Sequence, residues 1–269
     1  MIILRRTNGR VEESEFLLVS HRGGRGFGPE NTLQSLRQAL DFGVEMVECD
    51  VRMSSDGVAV IHHGPFLGYH ILGRLSLREI RERTPHVPTL REFLETAGDR
   101  CALNLEIKKC DPLVLAETLR ETPPAYTPLI TSFDVDFLAA FRETACPTEI
   151  GVLSQFDPAA DRVLRMARRC GASVVLPVCF SFDVELVSKA HARGLRVITW
   201  TVNSTHNLEE LVACGVDGVI TDAYPELKAF LEDNFGEEAP RFPVRARQHG
   251  SSRPGGPAAF RVGRWTLDP

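Results

Sequence analysis

The sequence predicts an α/β protein built as a closed (β/α)₈ barrel, and three observations support this fold. From residue 17 onward, short apolar or β-branched runs alternate with longer segments of helical period, which is typical of parallel strands joined by helices. Eight of these runs can act as principal strands, each with a helix available to follow it. The length of 269 residues suits one such barrel. An open, doubly wound sheet is the alternative that the alternation also allows.

The predicted strands are the apolar runs themselves. In chain order they are LLVSH (17–21), EMVECDV (45–51), GVAVIHH (57–63), CALNLEIK (101–108), PLITSF (128–133), EIGVLSQ (149–155), SVVLP (173–177), LRVITWTV (195–202) and DGVITD (217–222). The third run follows the turn-forming sequence SSDG at 54–57, so we expect it to form a hairpin with the second run. Eight principal strands then remain for the barrel.

The segments between the strands have the period of amphipathic helices. In NTLQSLRQALDFG, Leu33, Leu36 and Leu40 fall on one helical face. Gly43 then ends the segment, as expected of a residue that readily adopts the left-handed conformation at a helix end. The first barrel helix is therefore expected between the first and second strands.

The barrel is expected to span residues 17–233, with segments of different character on either side. Residues 1–16 form an N-terminal extension before the first barrel strand. Residues 234–269 are rich in Pro, Gly and Arg and have no apolar period, which predicts a disordered tail.

The net charge and the cysteine content indicate which binding partners and which cellular compartment to expect. The formal net charge of -5 gives no general attraction to nucleic acid or to an anionic membrane, so any phosphate binding must come from a local site. Seven cysteines with scattered spacing match neither a disulfide framework nor a zinc-ligand pattern, which favours a reducing cytoplasm. No segment approaches the length of a membrane span, so we expect no stable membrane insertion.

Ionisable residues collect at the ends of three predicted strands, where a (β/α)₈ barrel carries its chemistry. They are His21 and Arg22 after the first run, Glu48 and Asp50 in the second, and Glu106 and Lys108 in the fourth. Residues two apart on a strand share one face, so the last two pairs each point to one side. His21 and Arg22 also precede a glycine-rich turn that leads into a helix, an arrangement suited to an anion.

Three carboxylates aimed at one barrel mouth would repel one another unless a cation lay between them. Glu48, Asp50 and Glu106 are hard oxygen ligands, which favours Mg²⁺ or Ca²⁺ as that cation. The alternative is that each acid forms a structural ion pair with Arg22, Lys108 or a neighbour.

Two adjacent histidines, His62 and His63, end the third run. Neighbouring side chains on a strand point to opposite faces, so at most one of them can face a given site. Both faces of this run are apolar, and alternation alone does not choose between the two imidazoles.

Taken together, these motifs resemble the glycerophosphodiester phosphodiesterase family. The matching residues, in family order, are His21-Arg22-Gly23, Pro29-Glu30-Asn31-Thr32, Glu48-Cys49-Asp50, Asp56-Gly57, His63 and Glu106-Ile107-Lys108, followed by Pro88-Thr89-Leu90, Ser132-Phe133, Trp200-Thr201-Val202-Asn203, Gly215-Val216-Asp217-Gly218 and Thr221-Asp222. The matches cover about residues 17–230. The family histidine lies six residues after the Asp-Gly glycine, which selects His63 over His62.

The resemblance implies a triosephosphate isomerase-type barrel with a small insertion after the second strand. It also implies hydrolysis of glycerophosphodiesters to an alcohol and sn-glycerol 3-phosphate. The implied site residues are His21 and His63 as catalytic acid and base, Arg22 and Lys108 at the phosphate, Trp200 at the substrate mouth, and Glu48, Asp50 and Glu106 as ligands of Mg²⁺ or Ca²⁺.

The sequence departs from the family pattern directly after His63. Gly64 stands where the family usually has Asp, and FLGY at 66–69 replaces an Arg-Thr-Thr type sequence. The apolar residues of this insertion include Phe66, Tyr69, Ile71 and Leu72. They favour either a different alcohol or a lysophospholipid tail in the substrate, or a simple cover for the barrel edge.

Two alternatives to hydrolysis of small glycerophosphodiesters follow from these residues. A lysophospholipase D would use the same barrel and metal on acylated substrates. A non-catalytic phosphate-binding barrel would keep the fold, with Gly64 marking decay of the site.

Overall fold

Strands and helices alternate along most of the chain in the computed structural model, which describes residues 2–7, 10–155, 159–181 and 184–235. The strands are β1 (Ile2–Thr7), β2 (Arg10–Glu15), β3 (Leu17–Ser20), β4 (Met46–Met53), β5 (Ala59–Ile61), β6 (Phe66–Leu67), β7 (His70–Ile71), β8 (Ala102–Lys109), β9 (Leu129–Ser132), β10 (Glu149–Ser154), β11 (Val174–Pro177), β12 (Arg196–Thr199) and β13 (Gly218–Thr221). The helices are α1 (Leu33–Phe42), α2 (Leu77–Arg83), α3 (Leu90–Ala97), α4 (Pro112–Glu121), α5 (Val135–Arg142), α6 (Ala160–Cys170), α7 (Val184–His191), α8 (Thr205–Cys214) and α9 (Tyr224–Phe235).

Eight parallel strands close into a barrel, which confirms the predicted (β/α)₈ fold over the open sheet. Their order around the barrel is β3, β4, β8, β9, β10, β11, β12 and β13. The ring closes because β3 pairs with β13 on one side and with β4 on the other, where Val19 lies opposite Met46. Each barrel strand is followed by a helix, so all strand carboxyl ends open onto the same face.

The predicted hairpin after the second barrel strand is also confirmed. β5 pairs antiparallel with β4, with Val51 opposite Ile61. The chain then forms the small hairpin β6–β7, a 3-10 turn at Leu72–Arg74 and α2 before α3 resumes the barrel pattern. This insertion has an apolar cluster of its own, made of Val60, Leu67, Leu72, Leu75, Ile80 and Val87. The excursion is therefore a packed element that begins and ends at the barrel mouth.

Local sequence signals fix where the helices begin and end. Thr32 caps α1 through its side chain, which accepts a hydrogen bond from the Ser35 amide. Gly43 ends α1 in the left-handed conformation, as the sequence predicts. Leu36 and Leu40 on the expected face are buried against the barrel. The strand-to-helix turns that carry the site are consequently held at both ends.

Alternation along the barrel strands separates two apolar layers. The outer layer packs the strands against the helices, while a smaller cluster fills the barrel interior. The interior cluster consists of Val19, Met46, Leu129, Leu153, Val174, Leu176, Ile198 and Ile220. Met46 is followed on the same strand face by Glu48 and Asp50, so the inward side chains become acidic toward the carboxyl end.

The segments outside the barrel are only partly covered by the described residues. The predicted N-terminal extension forms the antiparallel hairpin β1–β2, and Phe16 after it is fully buried. The last helix continues to Phe235 and so extends two residues into the predicted tail, and residues 236–269 of that tail lie outside the described part of the chain. Within the described residues, no helix is long and apolar enough to cross a bilayer.

Candidate active site

The carboxyl-end face of the barrel gathers seven of the eight side chains predicted to form the site. They are His21 and Arg22 after β3, Glu48 and Asp50 on β4, His63 after β5, and Glu106 and Lys108 on β8. Direct contacts link them, including His21 to Glu48 at 3.9 Å, Arg22 to His63 at 2.9 Å and Lys108 to Asp50 at 3.1 Å. These seven side chains therefore form one connected cluster.

The three predicted metal ligands lie close together and are shielded from water. One carboxylate oxygen from each of Glu48, Asp50 and Glu106 lies within 4.8 Å of the others. Asp50 and Glu106 are register partners on neighbouring strands, which brings their side chains side by side. Burial raises the pKa of Glu48 well above its usual range, and repulsion from the other two acids adds to the rise. Burial likewise raises the pKa of Glu106.

Lys108 supplies part of the charge that this acidic cluster needs. Its ammonium group contacts Asp50 Oδ1 at 3.1 Å and also contacts Glu106 Oε1. Burial alone would lower the pKa of Lys108, yet the two carboxylates raise it. Burial would also raise the pKa of Asp50, but Lys108 and the Asn31 amide hold it below the usual value. The structural ion pairs that the sequence left open as an alternative are thus present for two of the three acids.

Glu48 is the acid that has no ion pair with Lys108 and keeps one carboxylate oxygen without a partner among the described residues. Its Oε2 accepts a hydrogen bond from the Arg22 amide at 2.7 Å, and Glu48 is 2 % exposed. Its Oε1 is buried and has no hydrogen-bond partner among the described residues. An unpaired buried carboxylate oxygen is costly, and a divalent cation beside the three acids would satisfy it. The donor set therefore fits an oxygen-loving divalent cation.

His21 is oriented by two residues that the sequence analysis did not assign to the site. Its Nδ1 donates to Asp222 Oδ1 at 2.7 Å, and Asn203 Nδ2 donates to Asp222 Oδ2 at 3.1 Å. Burial would raise the pKa of Asp222, but the hydrogen bond from His21 keeps it below the usual value. The carboxylate holds a hydrogen of His21 on Nδ1 and directs Nε2 toward Glu48, so Nε2 is the ring atom that can take up or release a proton.

The turn after β3 shapes the site around Arg22. Arg22 and Asn31 both have positive φ, at 50° and 58°. The backbone N–H of Asn31 donates to the backbone carbonyl of Arg22 at 2.7 Å. The Arg22 guanidinium donates to Glu30 Oε2 at 2.9 Å, while Asn31 Nδ2 donates to Asp50 Oδ2 at 2.8 Å. Glu30 and Asn31 belong to the Pro-Glu-Asn-Thr match, which is the signal that could have identified them.

His63 rather than His62 joins the cluster. His63 Nε2 lies 2.9 Å from Arg22 Nη2 and must accept that hydrogen bond, since a guanidinium only donates. His62 instead places its Nδ1 2.8 Å from the Gly64 carbonyl. Burial lowers the pKa of His63; Asp50 opposes this effect, and the positive charge of Arg22 adds to it. The imidazole beside the cluster is therefore kept neutral.

The eighth predicted residue, Trp200, lies at the rim of the barrel mouth after β12. Its indole Nε1 donates to the Leu176 carbonyl at 2.9 Å, and its ring meets Phe133 edge-on with centroids 5.7 Å apart. Across the described ranges, no hydrogen bond or ion pair joins Trp200 to the other predicted site residues. The indole is thus fixed as an apolar wall.

The cluster combines groups that suit chemistry on an anionic ester. Arg22 and Lys108 can neutralise negative charge, and the acids can hold a cation. Two imidazoles adjoin these groups, His21 beside Glu48 and His63 beside Arg22, and they can exchange protons near neutral pH.

Comparisons with known proteins agree with this chemistry. The model of the Glycerophosphoryl diester phosphodiesterase family matches residues 21–226. A glycerophosphodiester phosphodiesterase of Caldanaerobacter subterraneus is 29 % identical over 77 % of this chain and 93 % of its own. The rat glycerophosphodiester phosphodiesterase 1 is 35 % identical over 69 % of this chain and 71 % of its own.

A solved structure shares the fold across nearly its whole length. It is a phosphodiesterase from Oleispira antarctica in complex with the product sn-glycerol-3-phosphate. It superposes with a TM-score of 0.74 at 26 % identity, covering 80 % of this chain and 96 % of that one.

Proposed function

Because this chain belongs to the glycerophosphoryl diester phosphodiesterase family, we propose that it hydrolyses glycerophosphodiesters to an alcohol and sn-glycerol 3-phosphate. One observation supports this most strongly: two imidazoles adjoin a single acidic cluster through different residues. His21 Nε2 lies 3.9 Å from Glu48, and His63 contacts Arg22, whose Nε lies 3.9 Å from Asp50. A phosphodiester bound over these acids would have two separate proton-transfer groups beside it.

Glu48, Asp50 and Glu106 are the proposed ligands of a divalent cation, either Mg²⁺ or Ca²⁺. Three hard carboxylate donors and the unpaired Glu48 Oε1 support this assignment. A bound cation would supply positive charge against the phosphate oxygens in the transition state.

Arg22 and Lys108 are the proposed phosphate contacts. Both are largely buried cations, with 19 % and 17 % of their side chains exposed, and both already pair with the acids around the site. A phosphate oxygen that approached the cluster would replace part of this pairing with a charge-assisted hydrogen bond. Arg22 would then release His63 Nε2, which would be free to accept a proton.

The two histidines are proposed to divide acid and base roles. His63, which its surroundings keep neutral, accepts the proton of the attacking oxygen at Nε2. That oxygen belongs to water, or to a hydroxyl group of the substrate, in which case water then opens the resulting cyclic phosphate. The attacking oxygen forms a bond to phosphorus, and the bond from phosphorus to the alcohol oxygen breaks. His21 acts as an imidazolium whose Nδ1 hydrogen is held by the Asp222 carboxylate; it donates its second proton, on Nε2, to that leaving oxygen and becomes neutral. Each step conserves the proton count because one histidine gains the proton that the other loses.

The proposed substrates are small molecules that carry a glycerophosphate group. The Oleispira relative is described with sn-glycerol-3-phosphate as its product, which supports the same product here. A lysophospholipase D activity on acylated substrates is the second candidate, because Phe66 and Tyr69 of the insertion are exposed beside the site. A cytoplasmic location also remains a proposal, supported by seven cysteines that are all present as thiols.

The proposal can be tested by following glycerophosphocholine hydrolysis with ³¹P NMR. The wild-type enzyme with Mg²⁺ or Ca²⁺ should convert the diester signal into that of glycerol 3-phosphate. His21→Asn and His63→Asn should each reduce kcat by about 10²–10⁴-fold. His191→Asn is the control. His191 Nε2 lies 2.9 Å from Asp217 Oδ2, and this pair is not part of the cluster. Absence of hydrolysis by the wild-type enzyme, or full activity in both site variants, would refute the proposal.

A further inference from the structure

Exposed apolar side chains are concentrated on the face of the barrel that carries the site. Nine large hydrophobic residues are more than a third exposed among the described side chains. Two of them, Phe42 and Tyr126, lie at or after the carboxyl end of a helix, on the opposite side of the barrel. The other seven follow the strand carboxyl ends, and they are Phe66, Tyr69, Ile71, Leu113, Phe133, Phe180 and Val184.

Three of these seven belong to the hairpin β6–β7, directly after His63. Phe66 pairs with Ile71 across the hairpin, so both side chains share one face, where they are 55 % and 41 % exposed. Tyr69 in the turn between the strands is fully exposed. Leu67 and Leu72 are buried in the cluster of the insertion and anchor the hairpin from below. The hairpin therefore holds an apolar surface outward on a packed base.

The apolar residues of the insertion divide into two groups, those that cover the barrel edge and those that face solvent. Leu72 is 1 % exposed and does cover the edge of the barrel, as one of the expectations had it. Phe66, Tyr69 and Ile71 do not cover the edge, because they point away from the insertion core into solvent. Their exposure costs solvation free energy that a binding partner would recover.

The charge of the hairpin region favours a surface rich in phosphate. The segment GPFLGYHILGRLSL at 64–77 contains His70 and Arg74 and no acidic residue. Both His70 and Arg74 are exposed. Exposed apolar side chains in a segment that carries one cation, Arg74, and no acidic residue suit the headgroup level of a lipid surface.

We propose that Phe66, Tyr69 and Ile71 dock the barrel mouth onto a phospholipid surface. The side chains would enter the boundary between headgroups and acyl chains, with Arg74 against lipid phosphates. The inference deepens the proposed function, on which it rests for its substrate: a lysophospholipid could pass from the lipid surface into the site.

A lipid surface fits better than a protein partner because the exposed residues lie on separate loops around the mouth. Phe180 follows β11, four strands around the ring from β4, and Phe133 follows β9, two strands from β4. A folded protein covering all of these residues would close the entrance to His21 and His63. A fluid lipid surface can cover the rim and still present its own headgroups to the opening.

Binding is tested by sedimentation with vesicles of phosphatidylcholine, alone and mixed with phosphatidylglycerol. The wild-type protein should sediment with the vesicles. The triple variant Phe66→Ser/Tyr69→Ser/Ile71→Ser should bind about tenfold more weakly or worse, since each lost side chain removes a buried apolar contact. A matched pair checks position: Tyr69→Ser should weaken binding, whereas Tyr126→Ser, at the other end of the barrel, should not.

Hydrolysis separates docking from catalysis. The triple variant should lose activity on micellar lysophosphatidylcholine in parallel with vesicle binding, yet hydrolyse soluble glycerophosphocholine at the wild-type rate. That unchanged rate also shows that the variant is folded. Wild-type protein that does not sediment with either vesicle, or a triple variant that binds as the wild type does, would overturn the docking surface. Vesicle binding without glycerophosphocholine hydrolysis would support the docking surface and refute the proposed function instead.

Discussion

Replacement of Asp222 by asparagine should reduce kcat by about 10²–10⁴-fold with little change in KM. In the native site, Asp222 accepts from His21 Nδ1 at 2.7 Å through one oxygen and from Asn203 Nδ2 at 3.1 Å through the other. Its carboxylate therefore keeps the imidazole hydrogen on Nδ1 and leaves Nε2 for the reaction.

The magnitude follows from two arrangements open to the new amide. If its oxygen stays with Asn203, its NH₂ group donates to His21 Nδ1, so Nδ1 carries no hydrogen and the doubly protonated imidazolium form of His21 is no longer stabilised. If the amide flips, the bond to Asn203 is lost, at a cost of about 0.5–1.5 kcal/mol. The first arrangement is cheaper, and the neutral imidazole that it leaves is a far weaker acid at Nε2 than the imidazolium that the Asp222 carboxylate stabilises. A loss of 10²–10⁴ corresponds to about 3–5 kcal/mol of transition-state stabilisation.

The assay is steady-state hydrolysis of glycerophosphocholine at saturating cation, with kcat and KM determined separately. Asp217→Asn is the matched control, because Asp217 also pairs with a histidine, His191, at 2.9 Å but outside the barrel mouth. The control should keep the wild-type kcat. Retention of wild-type kcat by Asp222→Asn, or an equal loss in both variants, would refute the role of Asp222 in orienting His21.

Further changes test the surroundings of the two histidines. Burial and the nearby cations lower the pKa of His63. If His63 is the base, kcat/KM should fall only when the pH drops below the ~6.5 of free imidazole. A fall in kcat/KM on acidification that begins above pH ~6.5 would contradict the assignment of His63 as the base. Arg52→Ala should reduce kcat about tenfold, because two hydrogen bonds from the guanidinium, at 3.0 and 2.8 Å, hold the His63 carbonyl; Arg52→Lys should recover part of the rate, and unchanged kcat in Arg52→Ala would exclude a positioning effect. Gly26→Ala should lower the free energy of unfolding in urea by about 1–3 kcal/mol and also reduce kcat, since the new Cβ would lie 2.2 Å from the Asp222 carbonyl oxygen. Gly73→Ala is the comparison, because the nearest atom to its Cβ is 3.6 Å away; equal stability of the two variants would contradict the close contact.

The barrel and much of its site were predictable because their signals are local. Strands buried on both faces read as continuous apolar runs, and the i, i+2 spacing of Glu48 and Asp50 fixes their common face within one strand. Parallel strands then bring Asp50 beside Glu106, so the acidic cluster follows from the strand order alone.

The residues that orient the cluster were not predictable in the same way. Asp222 follows β13 much as Asp111 and Asp134 follow β8 and β9, yet those two aspartates cap the next helices. Only closure of the barrel brings Asp222 to His21, 201 residues earlier in the chain. Its different role depends on this long-range contact, for which the spacing of neighbouring residues gives no signal.

The insertion shows a similar limit. Ile71 and Leu72 are adjacent apolar residues with equivalent sequence signals, but one is 41 % and the other 1 % exposed. The register of the β6–β7 hairpin decides which side chain faces the insertion core. Exposure of the docking residues therefore follows from the folded hairpin and could not be derived from composition.

The decisive measurement for cation-assisted hydrolysis at this site is the release of glycerol 3-phosphate from glycerophosphocholine. It is made once after chelation and again after the cation is restored. Activity should disappear in chelator and return with Mg²⁺ or Ca²⁺, and Glu48→Gln should raise the cation concentration needed for half-maximal rate by about tenfold or more, since it removes one carboxylate ligand of the cluster. Equal rates with chelator and with cation, or no product under any condition, would contradict a cation-assisted glycerophosphodiesterase at this site.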